Sequence, residues 1–221
     1  MNINWYLVPP RFKRIRRHFG KRPIKLMDVG TAGNSLAIAK RWLPNCQYYG
    51  VDITDAHLTA DEKGRMAAFY LVNLDTDDLA AIPNRYFDAI VVAHVAEHLK
   101  DGLGALGRLS AKLAPGGRMY VEFPSVRSLN LPEARHTLNF SDDSTHIHVP
   151  DVREVANALM DQGLRIVRAG PRREWSRILL SFVSAPLQLA VYLKEGRLHG
   201  MGLWDLYGFA DFVYARRPED A

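Results

Sequence analysis

The first residues with recognisable chemistry form a short turn after an apolar run, in which Gly30 and Gly33 stand among small polar side chains. Glycines at a strand-to-helix turn let backbone N–H groups approach a bound ligand closely. Asp52 ends the next apolar run, 22 residues after Gly30. A carboxylate in that position can accept hydrogen bonds from the ribose hydroxyls of an adenosine-containing cofactor. The spacing therefore predicts a nucleotide-type cofactor site.

The same turn argues against a dinucleotide cofactor. It reads Gly-x-x-Gly and lacks the Gly-x-Gly-x-x-Gly fingerprint that cradles a pyrophosphate. None of the nine tyrosines is followed by a lysine four positions later, so the Tyr-x-x-x-Lys pair of short-chain dehydrogenases is missing. Hydride transfer is therefore disfavoured.

Several histidines supply candidates for acid–base chemistry, because imidazole titrates near neutral pH. We favour His94 and His146 as the base or as a group that orients the acceptor. His98 follows Glu97 at an expected helix start, where polar residues most often cap the helix, so we predict no metal site there. Short polar side chains at 139–148 suit a polyhydroxyl acceptor, although a self-capping turn explains them as well.

The elements that must position these residues alternate between β-rich apolar runs and helical stretches, which predicts βαβ units around a parallel sheet. The expected strands are Ile24–Val29, Gln47–Asp52, Ala68–Asn73, Phe87–Ala93, Arg118–Phe123, Leu164–Val167 and Phe209–Ala215. The expected helices are Leu36–Trp42, His57–Lys63, Thr76–Ala81, Glu97–Leu113 and Val152–Gln162. Segments 124–150 and 171–208 follow strands five and six. We therefore expect them to be insertions over the carboxyl edge of the sheet, where ligands bind.

Five motifs in this order resemble class I S-adenosylmethionine-dependent methyltransferases. They are LMDVGTAGN at 26–34, YGVD at 49–52, FDAIVV at 87–92, EHL at 97–99 and LAPGG at 113–117. The match covers roughly residues 24–170, and Ala32 replaces one glycine of the family's usual Gly-x-Gly-x-Gly turn. The resemblance implies an α/β, Rossmann-like, doubly wound sheet of seven strands, the last of them antiparallel.

The resemblance also implies a set of contacts with S-adenosylmethionine. The residues that would surround its methionine part are Asp28, Gly30, Thr31 and Gly33. Those that would hold the ribose and adenine are Asp52, Ile53, Asn73, Leu74 and Asp75. His94 would lie nearest the sulfonium. For Asp75, a helix N-cap before residue 76 is the alternative.

Two finer resemblances bear on the acceptor. The stretch 139–148 is similar to an Asp-Pro-Thr-His segment of methyltransferases from polysaccharide and lipopolysaccharide pathways, with Ser144 in place of the proline. It implies a sugar hydroxyl in a glycan or lipid-linked glycan. The residues His94-x-x-Glu97-His98 resemble, with one change, the Glu-x-x-Glu-His metal site of ubiquinone-pathway O-methyltransferases. That leaves a quinone or phenol as an alternative acceptor.

Charge is distributed unevenly along the chain. Residues 1–27 carry +8, whereas the formal net charge of the 221 residues is only +5. We expect 1–23 to be a basic N-terminal arm before a methyltransferase domain at 24–221, and a second basic cluster lies at 165–177. Both clusters favour an anionic partner, although a solvated basic helix explains the arm equally well. Together, 11–25 and the apolar stretch 175–193 suggest peripheral membrane contact.

The cysteine count, the apolar runs and the motifs that are missing bear on where the protein is located and on alternative functions. A single cysteine and the lack of a secretory opening pattern predict a cytoplasmic protein, and no apolar run reaches the length of a membrane span. Nucleic-acid methylation is disfavoured, because no Asp/Asn-Pro-Pro-aromatic motif is present and Cys46 precedes the second strand. An RNA methyltransferase and a non-catalytic cofactor-binding protein stay open as alternatives. The sequence does not determine the oligomeric state.

Overall fold

The computed structural model describes residues 8–131, 139–179 and 205–220, and single positions at 182, 183, 186, 190 and 193. Seven strands form one sheet: β1 (Ile24–Val29), β2 (Cys46–Asp52), β3 (Ala68–Leu71), β4 (Phe87–Ala93), β5 (Leu113–Pro124), β6 (Arg165–Pro171) and β7 (Ala210–Arg216). Their spatial order is β3-β2-β1-β4-β5-β7-β6, and β7 runs antiparallel to both of its neighbours. The predicted α/β fold with an antiparallel last strand is confirmed.

Helices cover both faces of this sheet. They are α1 (Pro10–Phe19), α2 (Ser35–Trp42), α3 (Ala60–Arg65), α4 (Gly102–Ser110) and α5 (Val152–Asp161). Short 3₁₀ turns lie at Ala96–His98, Val126–Asn130 and Phe140–Asp142. The central strands are buried from both sides, which explains their continuous apolar runs.

The basic N-terminal segment is part of the core. Phe12 and Ile15 on α1 are fully buried, and they pack with Leu26 of β1 and Leu36 of α2. The arginines and lysines of α1 occupy its remaining surface, as in any amphipathic helix. The apolar side of α1 is therefore already used for packing and does not face outward toward a membrane.

The structure corrects two of the predicted helices. Residues 76–81 form no helix, because the side chains of Asp77 and Asp78 accept hydrogen bonds from the backbone N–H groups of Asn73 and Ala80 in turns. The helix expected at Glu97–Leu113 divides into the 3₁₀ turn Ala96–His98 and α4. It breaks where the Asp101 side chain caps α4 by accepting from the Gly104 N–H at 2.9 Å.

Other boundaries differ more modestly. The helix expected from His57 begins at Ala60, because Thr59 and Glu62 form a capping box there. Strand β5 begins at Leu113, five residues earlier than expected, and a register shift lets the chain bulge out before Arg118. The predicted insertions at 124–150 and 171–208 lie only partly within the described residues.

Candidate cofactor and acceptor site

A pocket of about 310 Å³ opens at the carboxyl ends of β1, β2, β3 and β4. This is the edge at which doubly wound sheets bind ligands. Seven of the ten predicted cofactor residues line it: Gly30, Asp52, Ile53, Asn73, Leu74, Asp75 and His94. The fold therefore collects residues from four separate loops into one cavity.

Gly30 is fixed as glycine by its surroundings. Its φ of 79° lies in the left-handed region, and an added Cβ would come within 2.5 Å of the Val95 Cγ2 atom. Ala32, the residue that departs from the family's turn, is not among the described residues with positive φ. Asn34 takes the left-handed conformation instead, with φ of 67°, just before α2. The backbone at Gly30 therefore still allows a ligand to approach closely, although Ala32 replaces a glycine of the family's turn.

Asp52 and Ile53 are presented by the end of β2. The Asp52 Oδ1 atom accepts a hydrogen bond from the Thr54 N–H at 3.1 Å, which orients the carboxylate. Ile53 leaves 65% of its surface exposed beside the pocket. A hydrogen-bond acceptor next to an open apolar surface suits a ribose and its attached base.

Asp75 forms part of the far wall of the pocket. Its Oδ1 atom accepts from the Lys100 N–H at 2.9 Å, which ties the loop after β3 to the segment that follows the 3₁₀ turn. Its own N–H donates to Asn73 Oδ1 at 3.0 Å. Because no helix forms at 76–81, the alternative role of Asp75 as a helix N-cap is not realised.

The other three predicted cofactor residues do not line the pocket. Asp28 is buried and accepts a hydrogen bond from the Tyr48 hydroxyl at 2.8 Å. Burial raises the pKa of Asp28, against the opposing charge of Arg11 and that hydrogen bond. Thr31 donates to the Asp28 carbonyl at 2.9 Å and accepts from the Val51 N–H at 3.2 Å. Asp28 and Thr31 therefore brace the turn from behind, while Gly33 lies exposed on it.

His94 ends β4 between two carboxylates. Its Nδ1 atom lies 3.1 Å from Glu97 Oε1, and its Nε2 atom lies 3.1 Å from Glu122 Oε1 on β5. The backbone φ of 56° is strained for a non-glycine residue, and the His94 N–H donates to the Glu122 carbonyl at 2.8 Å. These contacts fix the ring at the inner end of the pocket.

The charges around His94 extend into a buried network. The Arg172 Nη1 atom donates to Glu122 Oε1 at 2.6 Å, and its Nε atom donates to Asp205 Oδ1 at 3.2 Å. The Tyr120 hydroxyl donates to Glu122 Oε2. We call His94, Glu97, Glu122, Arg172 and Asp205 the catalytic-edge network.

The network sets the charge of its members. Burial lowers the pKa of His94, but the hydrogen bonds and negative charges of Glu122 and Glu97 outweigh burial and raise this pKa to about 9. Burial likewise opposes ionisation of Glu122, yet Arg172 and His94 hold its pKa well below its usual range. At neutral pH, His94 is therefore a cation with a carboxylate on each ring nitrogen, which suits orientation better than proton removal.

His98 lines the pocket and belongs to a hydrogen-bond relay. The Thr145 hydroxyl donates to Asp143 Oδ1 at 2.5 Å, so its oxygen accepts from His98 Nδ1 at 2.9 Å. With the proton on Nδ1, the Nε2 atom of His98 is left as an acceptor. The sequence alone ranks His98 below His94 and His146, because it follows Glu97 at an expected helix start. Its partner Thr145 lies 47 positions away along the chain, so no local signal reveals the relay.

His146 does not line the pocket, but it packs against His98 with ring centroids 4.8 Å apart. Its Nδ1 atom lies 2.7 Å from the Phe140 carbonyl, and its ring stacks on Phe140. Glu97, His98 and His146 each place one potential metal-ligand atom within 4.8 Å of the others. The Oε2 atom of Glu97 is buried without a hydrogen-bond partner among the described residues. Two imidazoles and a carboxylate suit a first-row divalent cation.

The fold and this pocket define a Rossmann-like methyltransferase domain. A family model described as a methyltransferase domain matches residues 7–169, well over half of the chain. The chain therefore belongs to this family of S-adenosylmethionine-dependent methyltransferases, with S-adenosylmethionine as the cofactor.

Curated relatives cover only part of the chain. Over 108 residues the chain is 34% identical to a demethylmenaquinone methyltransferase of Thermus thermophilus, which covers 47% of this chain and 49% of that protein. Over 99 residues it is 39% identical to a ribosomal protein L11 methyltransferase of Geobacter sulfurreducens, covering 44% of this chain and 31% of the relative. The chain thus spans about half or less of the length of these relatives.

Solved structures match almost the whole fold. An S-adenosylmethionine-dependent methyltransferase from Mesorhizobium loti aligns with a TM-score of 0.62 at 16% identity, over 93% of this chain and 97% of that one. A Burkholderia thailandensis 1,6-didemethyltoxoflavin-N1-methyltransferase, solved with S-adenosylhomocysteine, aligns with a TM-score of 0.59 at 16% identity, over 96% and 78% of the two chains. At these identities the likeness establishes the fold.

Proposed function

We propose that the protein transfers a methyl group from S-adenosylmethionine to a hydroxyl oxygen of a small-molecule acceptor. One observation carries this proposal. The relay from His98 through Thr145 to Asp143 holds the proton on His98 Nδ1, so the Nε2 atom of this pocket-lining histidine is an acceptor. A hydroxyl acceptor must lose a proton when its oxygen is methylated, and a positioned histidine is suited to take it.

Each part of the site has a distinct task in this mechanism. Bound S-adenosylmethionine supplies an electrophilic methyl group, so the protein contributes mainly positioning and proton removal. Asp52 and Ile53 hold the ribose and adenine, and Gly30 lets the cofactor lie close to the backbone. His94 is charged and braced by Glu97 and Glu122, so it orients the reacting groups. His98 accepts the proton.

Sugar hydroxyls are the acceptors that we favour. Asp143 and Thr145 stand on a loop whose polar groups can pair with neighbouring hydroxyls once water is displaced. The resemblance of 139–148 to methyltransferases of polysaccharide pathways supports the same class. A screen of nucleotide-linked and lipid-linked sugars, read as S-adenosylhomocysteine release, tests this choice, and turnover confined to phenols or amines would reject it.

Cofactor binding is tested separately from turnover. Titration calorimetry of S-adenosylmethionine and S-adenosylhomocysteine should show binding to the wild type and its loss in Asp52→Ala, with NAD as a non-binding control. Unchanged affinity in Asp52→Ala would contradict the ribose role of this carboxylate.

The base is tested with His98→Gln. We expect kcat to fall by about 10² to 10⁴-fold, the usual contribution of general acid–base catalysis, while cofactor affinity is retained. His148→Gln is the control, a histidine on the loop that carries Thr145. Thr145→Val should lower kcat and Thr145→Ser should restore it, because only the serine keeps the hydroxyl of the relay. A fall of the same size in His148→Gln would count against the assignment.

Methylation of a phenol or quinone with help from a divalent cation is a second candidate. The donor set Glu97, His98 and His146 favours it, as does the likeness to a protein named demethylmenaquinone methyltransferase. In that case Zn²⁺ or Mn²⁺ should bind the wild type and not Glu97→Gln, and chelation should abolish turnover. Full activity after exhaustive chelation would eliminate this candidate.

Peripheral contact with a lipid surface would suit a lipid-linked acceptor. Between 175 and 193, Ile178 is buried, whereas five other large apolar side chains that the structure describes are more than 60% exposed: Trp175, Leu179, Phe182, Val183 and Leu193. Within the described ranges, no helix is long and apolar enough to cross a bilayer. Vesicle flotation of the wild type and a Trp175→Ser/Leu179→Ser variant tests this contact, and equal flotation of the two would rule it out.

A further inference from the structure

A second pocket, of about 330 Å³, lies away from the cofactor site. Its polar lining consists of Arg14, Arg17, His18, Arg118, Arg168 and Tyr214, which we call the basic pocket. Arg118 is paired with Ala89 near the amino end of β4, whereas the cofactor pocket lies beyond the carboxyl end of the same strand. The two pockets share no lining residue and occupy opposite ends of the sheet.

The fold builds this pocket from the two basic clusters that the sequence keeps far apart. Arg14 and Arg17 come from α1, while Arg168 comes from β6, about 150 residues later. Arg118 joins them from β5, which lies two strands away from β6 in the sheet. The concentration of positive charge here therefore depends on tertiary structure.

This positive charge is not neutralised by the protein. No carboxylate lines the pocket within the described part of the chain. The acids that act on it from outside are Glu174 on Arg14 and Glu219 on Arg118, and Glu174 already forms a 2.6 Å ion pair with Lys13. Burial lowers the pKa of Arg14 and Arg118, and the nearby charges of Arg168 and Arg216 lower these pKa values further. The pocket is thus a region of uncompensated positive potential.

Three buried polar atoms at the pocket make no hydrogen bond of standard geometry among the described residues: Arg14 Nε, Arg118 Nη1 and the Tyr214 hydroxyl oxygen. Arg118 and Tyr214 do interact with each other, and the Arg14 guanidinium lies 4.0 Å from the Phe212 ring centroid and interacts with Tyr120. These neighbours are not carboxylates, so they leave the guanidinium charge unbalanced. Tyr214 is 7% exposed, so water does not readily replace a partner for it. Arg17, His18 and Arg168 form an exposed rim above these groups. Unsatisfied buried donors in native proteins call for an explanation, and a bound acceptor is one.

We propose that the basic pocket binds a phosphate group, carried either by a soluble phosphorylated molecule or by a lipid headgroup. Guanidinium groups present paired N–H donors that match phosphate oxygens, and such charge-assisted hydrogen bonds are the strong ones. Arg14, Arg118 and Tyr214 supply the donors at the base, and Arg17 and Arg168 close over the anion. The site is independent of methyl transfer, because it lies at the other end of the sheet.

Pyrophosphate binding to the full chain tests the proposal directly. We expect calorimetry at constant ionic strength to show saturable binding, and Arg118→Met to weaken it by about tenfold or more, as expected when a charged hydrogen-bonding partner is lost. Arg168→Met on the exposed rim should weaken it as well, without risk to the core. Arg165→Met, an exposed change on the same strand, should leave the affinity unchanged.

Retained binding of S-adenosylhomocysteine in each variant shows that it is folded and separates this test from that of the proposed activity. No saturable binding of pyrophosphate, or equal weakening in Arg165→Met and Arg118→Met, would overturn the proposal. Vesicles of phosphatidic acid in phosphatidylcholine distinguish the two sources. Binding to vesicles that is lost in Arg118→Met assigns a lipid headgroup, whereas binding of pyrophosphate alone assigns a soluble ligand.

Discussion

The catalytic-edge network and the basic pocket both hold arginines inside the same domain, yet their charges are balanced differently. Arg172 lies between Glu122 and Asp205, and every one of these side chains is at least 94% buried. Arg14 and Arg118 face other cations and have unpartnered buried nitrogens. A compensated arginine serves the protein by holding other residues in place. An uncompensated one leaves binding capacity for a ligand.

Arg172→Met should produce the largest effect. It removes the arginine from both buried carboxylates, leaving Glu122 with His94 and Asp205 with Arg177 at 3.9 Å. Breaking a buried ion pair typically costs about 3 to 5 kcal/mol. Urea unfolding monitored by circular dichroism measures the loss of stability. Arg173→Met, at the exposed neighbouring position, should change stability by less than about 0.5 kcal/mol. Equal stability of the two variants would abolish the contrast between the two regions.

His94→Gln should remove a pH-dependent part of the stability. Because the folded pKa of about 9 lies above the unfolded value of about 6.5, this contribution is complete below about pH 6.5 and disappears as the pH rises through 9. The difference between the two pKa values corresponds to about 3 kcal/mol. Unfolding measured from pH 6 to 10 should show a steeper decline for the wild type than for His94→Gln, and parallel curves would refute a charged His94.

Arg118→Met should change the stability of the unliganded protein least of the three variants. At low salt we expect it to stabilise the protein, whereas the other two substitutions destabilise it. Removing one of several like charges relieves repulsion, so stability should stay within about 1 kcal/mol of the wild type or rise slightly. Added salt should narrow this difference, because partly exposed charges are screened. Thermal unfolding at two ionic strengths checks this, and a loss as large as that of Arg172→Met would show that the pocket is compensated after all.

Pyrophosphate should then distinguish the two variants. A ligand that binds only the folded state raises stability by RT ln(1 + [L]/Kd), so pyrophosphate should raise the melting temperature of the wild type and not that of Arg118→Met. Pyrophosphate should raise the melting temperature of Arg172→Met no more than that of the wild type. The same thermal scans, run with sulfate as a competing tetrahedral anion, sharpen the comparison between the two arginine environments.

The sequence by itself determined where most of the strands lie along the chain, and it predicted which loops hold the cofactor. Apolar runs such as Phe87–Ala93 predict buried parallel strands, because that signal lies within a few neighbouring residues. A glycine turn followed 22 residues later by Asp52, at the end of the next strand, predicts the ribose contact. Most of the predicted cofactor residues do line one pocket. The helix expected at 76–81 failed because local side chains compete for its backbone N–H groups, which apolar periodicity does not reveal.

Only the tertiary structure decided how the charged residues are paired. Glu122 reaches His94 from 28 positions away and Arg172 from 50, and this turns a candidate base into a braced cation. Thr145 gives His98 its relay, and α1 and β6 together enclose the basic pocket. Local conformation is set by adjacent residues, whereas electrostatic energy depends on distance in space and on burial. The sequence therefore predicted which loops form the cofactor pocket, and the fold determined how the charged side chains around His94 and Arg172 are paired.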